Sequence, residues 1–328
     1  MPNITTEPVD AWLLTTEWLS NWHVTLQEAD LAPKTINWYE RDVLGFLGWL
    51  RETTGDPHPT YVDMAGYRDH LIEMGRSAAT VNRALASTHR FMAWAIEAGI
   101  SQAIGVAKRI REVPSPRPAL TRTATIRLLN RVERDASPRD RAIIMLALGT
   151  GLRASEISAL RVKDCTFTRD RVEVNIRSGK GRVARRVTGR ERTRAAVMGR
   201  IEELERAVVE GAHYQRDRYA AHDAVLTRVI AAGLPESDID PSQCIADEAL
   251  VGVQPSWVGQ VVAICGRMAG LNGLHPHMLR RTYAQVRRAS GASIEVVARE
   301  LGHASIDTTV RYTMPIEDDW DVVSLDYL

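Results

Sequence analysis

The hydrophobic spacing of the first hundred residues constrains the fold of this chain more than any other feature. The stretch "APKTINWYERDVLGFLGWLRE" has apolar residues at helical spacing, at Ile36, Tyr39, Val43, Phe46, Leu47 and Leu50. Such a stripe buries one face of a helix against its neighbours. The pattern repeats around 12–22, 67–71 and 81–95. The sequence therefore predicts four helices with short connections, packed as a small bundle.

Local signals predict where these helices begin and end. Pro33 suits a first helical turn, and Thr35 is the predicted cap of the second helix. Asp63 is the predicted cap of the third, which ends near Gly75, and Gly99 closes the fourth.

Residues 101–117 interrupt the helical pattern and are predicted to link a domain at 1–100 to a second domain at 118–314. The stretch "AKRIREVPSPRPALTR" contains three prolines and five basic residues against one acid, which is typical of an extended, polar connection. Two interpretations stay open. Lys108, Arg109 and Arg111 lie along a DNA backbone, or the segment is a solvated tether.

The second half mixes helices with a short β-structure. Val172, Val174 and Ile176 alternate before the turn at 178–181, and Val183 and Val187 follow it, so a β-hairpin with Lys180 in or beside its turn is predicted. Helices are predicted for "RDRAIIMLALGTG", "ASEISALRVKD", 190–232 and 255–269. The predicted fold class is mainly α with a small β-sheet.

Charge is unevenly distributed although the formal net charge is only +1. Residues 177–194 contain eight basic residues against a single Glu191. Clustered arginine suits a polyanion-binding surface, because its planar fork binds phosphate oxygens in pairs. The predicted DNA contacts are therefore Arg182, Arg185 and Arg186, together with Lys108, Arg109 and Arg111.

Two classes of protein are disfavoured by composition. The three cysteines are widely separated and form no CxxC pair, which argues against a disulfide framework or a zinc site. No apolar stretch approaches the roughly 20 residues that span a bilayer, and no signal peptide is visible. We expect a cytoplasmic protein with no membrane partner.

Four separated fragments carry side chains suited to phosphodiester chemistry: "GTGLRASEISAL", "RSGKGRVARRV", "HPHMLRRTYA" and "LGHASIDTTVRY". They supply Arg153, Lys180, His277, Arg280, His303 and Tyr312. Arginines can hold phosphate oxygens, a lysine can protonate a leaving oxygen, and histidines can hydrogen-bond the phosphate. A tyrosine nucleophile forms a covalent intermediate that permits rejoining without ATP. No carboxylate cluster is placed for Mg²⁺, so no cofactor is expected.

At these residues the sequence resembles the tyrosine recombinase (phage integrase) family. The matching motifs are "TGLR" with Glu156, the hairpin Lys180, the H-x-x-R box of His277 and Arg280, and "LGHASIDTTVRY". The resemblance covers about residues 12–315. It implies a helical core-binding, SAM-like bundle and a mixed α/β catalytic domain that form a C-shaped clamp on double-stranded DNA.

The resemblance also implies roles and partners. Tyr312 would attack the scissile phosphate, Arg153 and Arg280 would stabilise the transition state, and Lys180 would protonate the leaving 5′ oxygen. His277 and His303 would assist. The enzyme would act as a homotetramer through a Holliday junction, with the acidic tail 315–328 docked on a neighbouring protomer. The start of the chain suggests a compact form without an arm-binding domain, and an accessory directionality protein is a candidate partner.

Several alternatives remain open from the sequence. Integration or excision of a phage or mobile element is favoured over chromosome-dimer resolution or transposon recombination. A type IB topoisomerase and a non-catalytic DNA-binding regulator are further alternatives, and a Mg²⁺ nuclease is disfavoured.

Of the competing tyrosines, Tyr283 is interpreted as packing, and Tyr327 lies in an acidic tail that repels phosphate. Glu156 is predicted to orient a cationic neighbour, and the charged insertion at 202–242 has no assigned role.

Overall fold

The computed structural model describes residues 13–56, 58, 60–101, 107–111, 119–177, 184–209, 245–303 and 309–310. Lys180, Arg182, Tyr312 and the tail at 315–328 lie outside the described residues, as does the insertion from 210 onwards. Contacts between Cα atoms divide the chain into two compact units, residues 1–114 and 115–328.

The described residues of the first unit form four helices, as the periodicity predicts. They are α1 (Leu13–Glu28), α2 (Pro33–Thr53), α3 (Tyr61–Glu73) and α4 (Ala78–Glu97). Their apolar stripes meet in one core whose largest fully buried side chains include Trp22, Phe46, Met64, Leu85 and Phe91. Edge-to-face contacts of Trp22 with Phe91 and of Phe46 with Tyr67 add to this burial.

Two predicted helix caps are wrong. The N-cap of α2 is Ala32, without a side-chain cap bond, because Pro33 takes the first helical position and Thr35 already lies inside the helix. The N-cap of α3 is Thr60. Asp63 is three residues further on and accepts from the Thr60 backbone N–H at 2.6 Å, which is the return bond of a capping box.

The second unit is mixed, with helices around a small sheet. The helices that the structure describes here are α5 (Arg122–Asp135), α6 (Pro138–Thr150), α7 (Ala154–Ala159), α8 (Glu191–Val209), α9 (Pro255–Met268), α10 (Pro276–Ala289) and α11 (Ile294–Leu301). The helix predicted for "ASEISALRVKD" is shorter than expected. It ends at Ala159, and only a 3₁₀ turn, Val162–Asp164, follows.

An antiparallel three-stranded sheet accompanies these helices. Its strands are β1 (Cys165–Phe167), β2 (Val172–Ile176) and β3 (Arg185–Gly189), in the order β1-β2-β3. The two strands of the predicted hairpin are present, and Val174 lies opposite Val187. The sequence did not predict β1, because three residues are too few to show an alternation. The fold is mainly α with a small sheet, as predicted.

Helix α6 is the centre of the second unit. Every residue from Ala142 to Thr150 is buried, so α6 is covered on all sides rather than along one stripe. It ends at Gly151 in the left-handed conformation, with φ of 66°. A β-carbon at this position would lie 2.5 Å from Cδ1 of Tyr283 and 2.8 Å from Cδ2 of Leu301, so glycine is required for both reasons.

Among the described helices, none combines the length and the apolar character needed to cross a lipid bilayer.

Candidate active site

Arg153 projects from the turn between α6 and α7. It follows the left-handed Gly151 and is the N-cap of α7. Its guanidinium donates to Oε1 of Glu156 at 2.9 Å and to the carbonyl oxygen of Gly302 at 3.0 Å. Its backbone N–H donates to Oε2 of Glu156 at 2.9 Å. The side chain remains 25% exposed, so it is fixed in place and still open to a ligand.

Glu156 is the shared partner of the arginines at this site. Its side chain is only 3% exposed. Arg185 donates to both carboxylate oxygens, at 3.0 and 2.9 Å, and Nη1 of Arg280 lies 3.9 Å from Oε2. Burial alone would raise the pKa of Glu156, but the hydrogen bonds from Arg185 and the Arg153 backbone lower that pKa to about 2. The predicted orienting role of Glu156 fits this geometry.

Arg280 is almost fully buried, with 1% of its side chain exposed. Its guanidinium donates to the carbonyl oxygens of Gly151 and Leu301, each at 2.5 Å. Gly151 is the C-cap of α6 and Leu301 is the last residue of α11, so both carbonyls lie at helix C-termini, where the helix dipole favours a positive charge. The arginine is therefore held by fixed backbone dipoles as well as by Glu156.

The C-terminal end of α11 organises all three arginines. Three consecutive carbonyl oxygens, those of Glu300, Leu301 and Gly302, accept from Arg185, Arg280 and Arg153 respectively, at 2.8, 2.5 and 3.0 Å. The two preceding carbonyls are already satisfied, because the backbone N–H groups of Gly302 and His303 donate to Arg299 and Ala298. Every terminal carbonyl of this helix thus has an assigned partner.

Gly302 makes this close approach possible. It adopts a left-handed φ of 62°, and a β-carbon there would lie 2.8 Å from Nη1 of Arg185. The "LGH" triplet therefore supplies a carbonyl for Arg280, a glycine against which Arg185 packs, and His303 directly afterwards.

His303 lies beside the three arginines. Its Nδ1 is 2.8 Å from Oγ1 of the buried Thr309. Burial first, and then the charges of Arg280, Arg153 and Arg185, lower the pKa of His303 to about 4. The ring is therefore neutral at pH 7 and acts as a hydrogen-bonding group rather than as a cation.

His277 and Arg280 occupy the first turns of α10, which begins at Pro276 as the sequence predicts. His277 is exposed, whereas Arg280 is buried. Desolvation, followed by the charges of His275 and Arg280, lowers the pKa of His277. The structure thus brings Arg153, His277, Arg280 and His303 to one region of the second unit.

Arg185 and Arg186 are neighbours with different environments, although both were predicted to contact DNA. The Arg185 side chain is 7% exposed and is committed to Glu156 and to the Glu300 carbonyl, so a surface DNA contact does not fit it. Arg186 is 64% exposed and pairs with Glu173 at 3.0 Å. The signal was present in the sequence: Arg185 lies two residues before the buried Val187, on the inward face of β3.

Lys180, Arg182 and Tyr312 lie outside the described residues. The rival tyrosine, Tyr283, is 4% exposed, and its hydroxyl donates to Oε2 of Glu300 at 2.9 Å. Burial and the nearby Glu300 raise the pKa of Tyr283 above its ordinary value. Tyr283 is therefore a packed structural residue, as the sequence analysis interpreted it.

Basic side chains also line the surface of the first unit. Lys108, Arg109 and Arg111 are all exposed. Trp38, which is 37% exposed, has the guanidinium of Arg41 at 4.1 Å from its ring centroid and that of Arg83 at 4.7 Å. Both distances lie within the range of a cation–π interaction, which stabilises the two guanidiniums beside this aromatic surface.

The site in the second unit is suited to binding an anion. Among the side chains that the structure describes at this site, three guanidiniums face a single carboxylate, so positive charge is in excess. Backbone carbonyls orient these guanidiniums before any ligand arrives. Across the parts of the chain that the structure describes, no group of three His, Cys, Asp or Glu side chains is arranged to hold a metal ion. The site is therefore a preformed cluster of arginines with the charge and geometry that suit a phosphate group.

Family models identify the protein more closely. The "Phage integrase family" model matches residues 119–241 and 252–317, and the "Phage integrase, N-terminal SAM-like domain" model matches residues 19–99. The chain therefore belongs to the phage integrase family, the tyrosine-type site-specific DNA recombinases.

Individual proteins agree with this assignment. The chain is 27% identical over 307 residues to the tyrosine recombinase XerD of Bifidobacterium longum, covering 87% of this chain and 88% of that one. It is 26% identical over 293 residues to the tyrosine recombinase XerC of Xanthomonas campestris, covering 87% and 80%.

Solved structures share the fold. A lambda integrase fragment (residues 75–356), crystallised as a dimer bound to a COC′ core site, matches with a TM-score of 0.64 and 16% identity, covering 93% of this chain and 97% of the fragment. The XerH site-specific recombinase, bound to a palindromic difH substrate, matches with a TM-score of 0.59 and 18% identity, covering 85% and 76%.

Proposed function

We propose that this protein cleaves and rejoins double-stranded DNA at specific sites through Tyr312. The tyrosine oxygen attacks the scissile phosphorus and the bond to the 5′ oxygen breaks, which leaves a 3′-phosphotyrosyl linkage and a free 5′-hydroxyl. The 5′-hydroxyl of a partner strand then attacks that linkage and releases Tyr312. Two such exchanges form and resolve a Holliday junction within a homotetramer.

The observation that carries this proposal is the convergence of Arg153 and Arg280 on the end of α11. Both guanidiniums are anchored, one to the Gly302 carbonyl and one to that of Leu301. In the proposed mechanism Arg153, which is 25% exposed, binds a non-bridging phosphate oxygen, and the buried Arg280 supplies positive charge beside it. Both arginines stabilise the additional charge of the transition state. Lys180 protonates the leaving 5′ oxygen.

The two histidines have different proposed parts. With its lowered pKa, His303 is neutral and hydrogen-bonds a phosphate oxygen. His277 is exposed at the start of α10, where it assists by hydrogen bonding or by accepting the proton of Tyr312. Neither role requires a metal ion or ATP.

The proposed DNA-binding surface extends beyond the active site. The domain at 1–100 binds the duplex as a core-binding domain, the linker at 101–117 follows it, and the catalytic domain occupies 118–314. Lys108, Arg109 and Arg111 contact phosphates, and so do Arg182 and Arg186 near the hairpin. Exposure of Lys108, Arg109, Arg111 and Arg186 supports these contacts, since exposed cations displace the counterions that surround DNA.

Suicide duplexes test the proposed chemistry. Nicked duplexes from the genomic region around the gene are incubated with the protein in EDTA and separated on denaturing gels. We expect a covalent protein–DNA adduct that is absent with Tyr312→Phe. Failure of the wild type to form any adduct, while duplex binding persists, would indicate a non-catalytic DNA-binding regulator. Adducts that lead to plasmid relaxation without recombinants would indicate a topoisomerase.

The proposed biological role is integration and excision of a phage or other mobile element. A second candidate, recombination like that of the Xer proteins in chromosome-dimer resolution, is favoured by the XerD and XerC relatives. Deletion of the gene separates the two roles. Loss of the circular element, measured by PCR across its joined ends, supports the first role, and accumulation of unresolved chromosome dimers supports the second. A transposon recombinase would show the first result with variable flanking sites.

Assembly and location complete the proposal. The tail at 315–328 has five acidic residues, no basic residue and the apolar side chains of Trp320, Val322 and Leu325, which suits docking on a neighbouring protomer. An accessory protein would control the direction of exchange. The bacterial relatives and the DNA substrate are consistent with action in the host cytoplasm, at the nucleoid.

A further inference from the structure

The basic segment 107–111 packs against the helical bundle of the first unit. Ala107 is 1% exposed and belongs to the core of the first unit, and Ile110 packs against the same core. The three residues beside them, Lys108, Arg109 and Arg111, are exposed. Apolar residues three apart thus face the bundle while the cations face solvent, so this part of the chain is not a free tether.

Asn82 on α4 fixes the segment through both ends of its side-chain amide. Its Nδ2 donates to the carbonyl oxygen of Ile110 and its Oδ1 accepts from the backbone N–H of Ile110, both at 2.8 Å. Asn82 is 3% exposed. This two-way pairing imitates the pairing of a β-ladder, and because each amide atom has a defined partner, it sets the register of the segment as well as its position.

His89 provides a second attachment on the same face of α4. It lies seven residues after Asn82, two helical turns away, and its Nε2 accepts from the backbone N–H of Ala107 at 3.1 Å. Because Nε2 accepts this bond, it carries no proton, and burial, which lowers the pKa of His89, favours this neutral form. Asn82 and His89 therefore hold both ends of the segment.

We infer that Asn82 and His89 are positioning residues for DNA binding, which hold Lys108, Arg109 and Arg111 at fixed positions along the phosphate backbone. The inference rests on the DNA-binding part of the proposed function. A free tether would lose conformational entropy when it binds DNA. Because Asn82 and His89 already hold the segment in one conformation, this cost is avoided, and the affinity for DNA depends on residues that do not themselves touch DNA.

The expected effect is a loss of affinity through the cations. Asn82→Ala removes both bonds to Ile110 and should weaken binding of a fluorescein-labelled mixed-sequence duplex by about tenfold. Each phosphate contact that is lost should make the plot of log affinity against log salt shallower by about 0.9. Asn82→Asp keeps the acceptor for the Ile110 N–H but loses the donor, so its effect should be intermediate.

A matched control separates positioning from stability. Thr88, also buried on α4, donates only within its own helix, to the Ala84 carbonyl at 2.9 Å. Thr88→Ala removes one buried hydrogen bond without touching the segment. It should lower the melting temperature of the bundle while leaving DNA affinity and salt dependence unchanged.

A double-mutant cycle decides the question. In the background Lys108→Ala, Arg109→Ala, Arg111→Ala, which itself weakens binding, Asn82→Ala should have no further effect on affinity. An unchanged affinity for Asn82→Ala alone would overturn the inference, and so would a full tenfold loss in the background that lacks the cations. Neither result would affect covalent adduct formation at Tyr312, so the proposed function is tested separately.

Discussion

The arginines of the catalytic unit and the cations of segment 107–111 use the same kind of charge in opposite ways. Arg280 and Arg185 are buried, and each is bonded to fixed carbonyl or carboxylate oxygens. Lys108, Arg109 and Arg111 are exposed, and it is the backbone beneath them that is anchored. Buried, oriented charge stabilises a transition state, whereas exposed charge contributes affinity that falls as salt rises.

The largest expected effect comes from Arg280→Lys. A lysine retains the charge but cannot reach both the Gly151 and Leu301 carbonyls with a planar fork. We expect single-turnover cleavage at saturating DNA to fall by roughly 10³-fold, with a change of less than about tenfold in affinity. The triple variant Lys108→Ala, Arg109→Ala, Arg111→Ala should show the reverse, with weaker DNA binding and unchanged cleavage at saturating DNA. If Arg280→Lys altered mainly the affinity for DNA, the proposed difference between buried and exposed cations would be contradicted.

Glu156→Gln tests whether the arginine cluster depends on its shared carboxylate. The amide preserves the shape of Glu156 but removes the carboxylate that three of the described guanidiniums share. Cleavage should therefore fall by about 10²-fold and the free energy of unfolding by about 3 kcal/mol. Denaturant unfolding and single-turnover cleavage measure the two effects. The control is Glu173→Gln at the more exposed pair with Arg186, where about 1 kcal/mol or less is expected. Equal losses for both variants would contradict the account.

Gly302→Ala should produce a smaller loss that is specific to the site. Its added methyl group would meet Arg185 at 2.8 Å, in a residue that also has a left-handed φ. Gly291 has φ of 85° with nothing within 4 Å of an added β-carbon, so Gly291→Ala bears only the backbone penalty of about 1 kcal/mol. We expect roughly tenfold slower cleavage for Gly302→Ala and near-normal cleavage for Gly291→Ala. Loss of activity in both would indicate general destabilisation.

A separate prediction, which concerns stability and not cleavage, follows from the titration of His303. Because its folded pKa is about 4, below the unfolded value of 6.5, the unfolded chain binds more protons between these values. The stability contribution of neutral His303 is therefore present above pH 6.5 and is lost as the pH falls towards 4. The fall in melting temperature over this range should be smaller in His303→Asn. Ring resonances observed by NMR should show the pKa rising when a duplex binds, since the phosphate offsets the nearby guanidiniums.

The sequence predicted the elements of this fold better than their contacts. Helical stripes and the alternation around Val174 gave the bundle and the hairpin, because these patterns are local. Thr35 was misassigned because Pro33 fixed the helix start two residues earlier. Strand β1 was missed because three residues carry no period.

For the candidate site, too, the sequence predicted which residues take part better than it predicted their contacts. Motif spacing identified Arg153, His277, Arg280 and His303, which the structure brings together. It did not reveal that Arg185 is an internal residue, although strand alternation with Val187 indicates this. The bond from Arg153 to Gly302 joins residues 149 positions apart, and only the packing of α6, α10 and α11 shows it.

The central claim is that the arginine site serves Tyr312 as its nucleophile. The most direct test is to digest the covalent protein–DNA adduct from a suicide duplex and locate the attached nucleotide by mass spectrometry. We expect a single modified peptide with a 3′-linked phosphate on Tyr312, and no such peptide from Arg280→Lys on the same timescale. Attachment at Tyr283 or Tyr327, or an equal yield of adduct from Arg280→Lys, would contradict it.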